Sequence, residues 1–166
     1  MLIRAARAEE LAVLPEVERR SGWCFAEVGM ARVASDAPLP VEVLAGFRES
    51  GSLWVAVQGP GPVAFLAAEV LDGALHVAQV SVDPGWARRR IGAVLLAHAG
   101  ARAVRRGCAG VSLTTFREVP WNAPYYARLG FRVVPEGALS PGLAARLDAE
   151  RSVFPGWPRV AMCRPW

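Results

Sequence analysis

The chain has 166 residues, 53% of them apolar, which is the size of one domain able to bury a core without disulfides or metals. A disordered tail-like protein, a disulfide-framed miniprotein and a helical membrane protein are all excluded. There are only three cysteines, far apart, and the longest apolar stretch (residues 91–101, broken by His98) is well short of the ~20 residues a spanning helix needs. The net charge of +4 is carried on 19 arginines with no lysine. They are scattered apart from residues 88–90 and 105–106, so they form no stripe of the kind that tracks a nucleic-acid backbone. The start, MLIRAARAEE, has no apolar signal core, and the cytoplasm is the expected compartment.

In chain order, residues 2–7 form a short strand. Residues 8–22 follow as a helix broken or kinked near Pro15, and residues 23–39 as a loop with a helical turn. Residues 40–51 have helix period, with Pro40 suited to a first turn and Gly51 to a stop. The clearest β region comes next, with strands over 52–58, 63–71 and 74–82. The first two are separated by GPGP. The second pair is joined by Asp72-Gly73, whose residue types suit the positive φ that a type I′ hairpin turn demands.

The period then changes. Residues 88–106 carry a helix pattern in which Ile91, Leu95, Ala99 and Ala103 stack on one face, and Gly107 ends it. A strand over 109–116 follows. Strand, crossover helix and strand imply parallel pairing of 74–82 with 109–116. A short helix over 121–130 closes at Gly130, followed by a strand at 131–134, a helix at 141–151 and a last strand at 159–163. The expected architecture is mixed α/β, a single domain over 1–166.

The stretch 83–93, DPGWARRRIGA, carries the chemistry. A helix begins where several backbone N–H groups have no internal partner and the macrodipole is positive. Arginines there are electrostatically unfavourable unless something negative offsets them, and an anion is the natural guest. Gly92 leaves room for a phosphate to approach the backbone. The alternative is a solvated basic turn.

VDPGWARRRIGA (82–93) resembles the phosphate loop of the GNAT superfamily of N-acetyltransferases, Q/R-x-x-G-x-G/A after a Val-x-Pro strand end. It departs at Ala87, where Gln or Arg is common, and at Arg90, where the first glycine is common. WNAPYYARLGFRVV (121–134) resembles the superfamily's second motif, with Asn122, Tyr126, Gly130 and Phe131 in register. Asn122 is the single asparagine of the chain.

The resemblance implies a central mixed twisted sheet of about 6–7 strands, helices on both faces, and two splayed parallel strands admitting acetyl-CoA. It implies that Val80 and Val82 present backbone to the pantetheine arm. Backbone amides of Arg88, Arg89, Arg90, Ile91, Gly92 and Ala93 would bind the pyrophosphate. Asn122 would contact the coenzyme, and Tyr126 would lie near the sulfur as general acid, with Tyr125 as the core ring. No metal is implied.

The base is open. Ala78 and Gln79 stand where many relatives carry a glutamate, which leaves Glu69, Glu118, His76 or a water chain. His76 reads rather as a half-exposed strand histidine and His98 as structural, while the cysteines read as small hydrophobes or surface thiols. Trp23, Phe25 and Trp121 are candidates to line an acceptor pocket or to pack in the core.

The expected function is acetyl transfer from acetyl-CoA to an amine. A small molecule is the first choice of acceptor, and a protein N-terminus or lysine the second. A non-catalytic acyl-CoA sensor and a basic RNA-associated domain are the rivals from other classes. No nucleic-acid or membrane partner is expected, and a homodimer is compatible with the sequence.

Overall fold

A computed structural model describes residues 1–165. Seven strands form a sheet in the order β1-β2-β3-β4-β5-β7-β6, where β1 is Leu2–Ala5, β2 Leu53–Gln58, β3 Gly61–Leu71, β4 Ala74–Val82, β5 Gly110–Phe116, β6 Arg132–Val133 and β7 Arg159–Pro165. The pairs β1/β2, β2/β3, β5/β7 and β6/β7 are antiparallel, and β4/β5 is parallel, as the crossover pattern demands. The helices are α1 (Leu14–Ser21), α2 (Ala31–Ala34), α3 (Val41–Glu49), α4 (Ile91–Arg105), α5 (Ala123–Arg128) and α6 (Pro141–Val153). The mixed α/β class and the strand count agree with the sequence reading.

Contacts group the chain into two compact units, residues 1–69 with 78–99, and residues 70–77 with 100–166. In the first, Leu14 and Val17 of α1, Leu44 of α3, and Leu53, Val55 and Phe65 of the sheet form a buried cluster. A side chain of this size contributes roughly 1.5–3 kcal/mol when fully buried. Pro15 occupies the first turn of α1, where its missing N–H costs nothing, so the helix expected over 8–22 splits into a 3-10 turn at Ala8–Glu10 and then α1.

In the second unit, Leu143 and Leu147 of α6 pack on Ala161 of β7. The parallel pairing runs Leu75↔Val111, His76↔Ser112 and Val77↔Leu113, while β5 pairs with β7 along its whole length to Phe116↔Arg159. Asp72 and Gly73 have φ of 49° and 80°, as the hairpin reading requires. Asp72 also caps the distant α6. Its Oδ2 accepts from the Gly142 N–H at 2.7 Å and the Leu143 N–H at 3.2 Å.

Candidate active site

In the first unit, β4 delivers the chain to the loop at 83–90. Ser81 is buried between half-buried Val80 and Val82. Asp83 ends the strand. Its N–H donates to the Val63 carbonyl at 2.9 Å, and its carboxylate Oδ1 accepts from the Gly85 N–H at 2.8 Å. That Asx turn launches a 3-10 turn at Pro84–Trp86.

Two residues further on, the backbone does something L-amino acids avoid. Arg88 has φ of 61° and Arg90 φ of 60°. Each left-handed residue with a β-carbon costs about 1–3 kcal/mol and persists only where its surroundings over-determine it. Arg90 holds the position at which the resembling loops carry glycine, and it keeps glycine's conformation without glycine's freedom.

The consequence is a cluster of donors. Helix α4 starts at Ile91, and its first helical bond runs from the Val94 N–H to the Arg90 carbonyl at 3.1 Å. The amides of Ile91, Gly92 and Ala93 precede that bond and have no acceptor within the helix. Ile91 is buried and anchors the turn, while Arg88, Arg89 and Arg90 are exposed. Arg89 stacks its guanidinium 4.7 Å from the Trp86 ring centroid. Alternating left-handed residues, a helix N-terminus and three exposed guanidinium groups make a corner suited to a phosphate anion. The helix predicted over 88–106 therefore begins three residues late, because Arg88 and Arg90 cannot be helical with positive φ.

In the second unit, Asn122 precedes α5 with φ −110° and ψ −117°, and its side chain makes no capping bond. Its carbonyl accepts from the Tyr126 N–H at 3.0 Å. Tyr126 is 9% exposed, with its ring edge-on to Tyr125 at 5.5 Å and to Phe131 at 5.8 Å. Burial drives the phenol far above its ordinary range; the Tyr125 hydroxyl adds to this and Arg159 opposes it. The group is thus a proton holder at any physiological pH. The sequence reading of Tyr125 as the core ring is reversed. Tyr125 is only half-buried, with Arg128 over its face at 5.8 Å, and Tyr126 is the buried one.

The other candidates separate. His76 is fully buried, not half-exposed, and its Nδ1 lies 3.0 Å from the Ser112 hydroxyl across the parallel pair, because position 76 faces inward in that register. Glu118 is exposed and Glu69 half-buried. Gln79, in place of a β4 carboxylate, spends its amide on Ser81 at 2.8 Å. His98 packs edge-on against Trp54 at 5.7 Å, as a structural histidine would. Cys108 is buried, and burial pushes the Cys24 thiol above its usual range, so it is not an activated nucleophile. Trp23 is 54% exposed and lines an open cavity of about 620 Å³ together with Arg19, Asp36 and Pro38. Phe25 and Trp121 are half-buried and do not line that cavity. Among the described residues no cluster of His, Cys, Asp or Glu is arranged to hold a metal.

Two features of the first unit were missed from sequence. Glu18 sits on the inward stripe of α1, four residues after Leu14, and accepts from the Leu39 N–H at 3.0 Å; burial chiefly, then Asp36, raises its carboxyl to about 7. The stripe spacing was a usable signal. Arg20 pairs with Asp83, 63 residues away in sequence, for which no local signal exists.

A family model described as an acetyltransferase (GNAT) domain matches residues 49–133, just over half of the chain, and takes in both the loop and α5. The chain belongs to the GNAT acetyltransferases. It is an acyltransferase that uses acetyl-CoA.

Solved structures share the GNAT fold at low identity. The ribosomal-protein-S18-alanine N-acetyltransferase of Escherichia coli is 18% identical with a TM-score of 0.67, over 99% of this chain and 92% of that one. The PaiA N-acetyltransferase of Thermoplasma acidophilum, solved in complex with coenzyme A, is 18% identical with a TM-score of 0.69, over 99% and 98%. The N-acetylglutamate synthase of Neisseria gonorrhoeae, complexed with coenzyme A and N-acetylglutamate, is 17% identical with a TM-score of 0.72, over 99% of this chain and 34% of that one. Among the described residues of this GNAT protein, no helix is long and apolar enough to cross a membrane.

Proposed function

We propose that this GNAT enzyme acetylates a small-molecule amine, and that the left-handed loop ahead of α4 is the seat of its acetyl donor. The observation that carries the reading is the pair of positive-φ arginines, 88 and 90, beside the first amides of α4, which have no acceptor within the helix. Strain of that kind is costly, and a site that uses it explains why it is kept. The amides of Arg88, Arg89, Arg90, Ile91, Gly92 and Ala93 take the pyrophosphate, with the exposed guanidinium groups adding charge-assisted bonds. The backbone of Val80 and Val82 pairs with the pantetheine amides, and Asn122, whose side chain is not spent on a cap, contacts the coenzyme.

Acetyl-CoA supplies an activated thioester. The acceptor nitrogen, entering neutral, forms its bond to the carbonyl carbon, and backbone N–H donors stabilise the charge that builds on oxygen. The carbon–sulfur bond breaks as Tyr126 Oη gives its proton to sulfur. Burial keeps that phenol protonated at physiological pH, and the proton the amine gives to water returns to the phenolate after transfer. The amine's proton leaves to water, since β4 offers Ala78 and Gln79 rather than a carboxylate.

We assign the small acceptor to the open cavity of about 620 Å³ at Trp23.

The test is a panel of small amines, N-terminal peptides and lysine peptides with acetyl-CoA, read as free thiol. Turnover confined to small amines is the expected result, and turnover confined to peptides replaces the acceptor assignment. In the same assay Tyr126→Phe lowers kcat about a hundredfold while leaving acetyl-CoA affinity within about twofold. An unchanged kcat removes Tyr126 as the acid.

A further inference from the structure

The anion loop has a carboxylate at its mouth. Asp83, at the junction of β4 and the loop, carries a negative charge where the proposed guest carries more. Arg20 of α1 answers it with an ion pair: Nε lies 2.9 Å from Oδ2 without hydrogen-bond geometry, and Nη2 donates to Oδ1 at 3.4 Å. The same Oδ1 accepts the Gly85 N–H at 2.8 Å, and the Asp83 N–H is tied to Val63 of β3. Asp83 is therefore fixed from three sides, by the sheet, by its own turn and by α1. Its carboxylate sets the direction in which Pro84–Trp86 leaves the strand. Arg20 is itself steadied, its guanidinium lying 5.6 Å from the centroid of Trp23.

We propose that Arg20 is a positioning residue for the coenzyme loop: through Asp83 it holds the turn that forces Arg88 and Arg90 into left-handed backbone and so aims the amides of α4. The proposal rests on the reading of residues 88–93 as the pyrophosphate seat. Two physical roles give opposite predictions for Asp83. Were the Arg20–Asp83 pair merely charges near a polyanion, removing the carboxylate would tighten acetyl-CoA binding. As a brace, its removal weakens binding, because the loop is no longer set.

The experiment is calorimetric binding of acetyl-CoA to the wild-type chain, Arg20→Met, Arg20→Lys, Asp83→Asn, the Arg20→Met/Asp83→Asn double variant and Gly92→Leu. Amide exchange of residues 84–93 is followed in the ligand-free proteins. The brace predicts that Arg20→Met and Asp83→Asn each raise the Kd about tenfold. The double variant is no worse than either single, because both break one contact. Lysine at 20 restores part of the affinity, and loop amides exchange faster in both single variants.

Tighter binding by Asp83→Asn overturns the proposal in favour of simple electrostatics. A wild-type Kd for Arg20→Met, alongside lost binding in Gly92→Leu, overturns the brace and leaves the loop reading standing. A wild-type Kd for both Arg20→Met and Gly92→Leu overturns the loop reading, and the brace with it. An Arg20→Met protein that melts early yet binds normally once folded also overturns it.

Discussion

Single residues set the chemistry of this molecule by being held in conformations or environments they would not choose. Arg90 is one case: sequence showed an arginine in a glycine's place, and only the backbone shows that the left-handed geometry survives the exchange. Glu18 is another. Its carboxyl, raised to about 7 chiefly by burial, sits above the usual carboxylate value of 4.5. Between those two values the folded state binds more protons than the unfolded state, so stability falls as pH rises through that window. Glu18 therefore stabilises the fold in its neutral form and costs stability once ionised. Glu18→Gln keeps an acceptor for the Leu39 N–H and removes the charge. After discounting for partial exposure it should be more stable than wild type by about 2 kcal/mol at pH 8, and nearly equal at pH 4. Denaturant titrations at the two pH values check this. The inward spacing of Glu18 from Leu14 was readable; the depth of its burial depends on Leu39, which no local pattern brings there.

Elements were legible where their signals are local. The Asp72-Gly73 hairpin, the strand at 74–82, the Pro40 start of α3 and the stop at Gly107 all follow from residue types that the backbone conformation requires. The late start of α4 was not legible, because apolar period counts Arg88–Arg90 into a helix that their φ values forbid. Nor was the second job of Asp72. Helix α6 has Ser140 at its N-cap position without a capping side-chain bond to its own amides, and the hairpin reaches across to supply one. The Asp72 carboxyl is held below its ordinary value by the Ser140 hydroxyl and the Gly142 and Leu143 amides. Asp72→Ala should lower the melting temperature and speed amide exchange at residues 142 and 143, while Asp72→Asn retains most of the protection; equal exchange in all three would show the cap to be idle.

At the scale of the whole chain, sequence order gave the parallel pair β4/β5 but not the place of β7. The last strand inserts between β5 and β6, pairing with β5 from Gly110↔Pro165 to Phe116↔Arg159 and with β6 at Arg132↔Cys163 and Val133↔Met162. Such a non-local pairing leaves no periodic trace in the residues that make it. Val160, Ala161 and Met162 are all buried, so this is an interior strand despite its position near the end of the chain. Ending the chain before Arg159 should abolish cooperative unfolding of residues 100–158 rather than trim an edge. A sharp far-ultraviolet melt in the shortened protein would contradict that.

The cations that crowd the mouth of α4 are all guanidinium, and no side chain in the 166 residues ends in a primary amine. An enzyme of this composition offers its own acetyl donor no lysine to consume. Side-chain amide formation on the catalyst is thereby closed off, so any amide the catalyst forms on itself can lie only at an α-amino group.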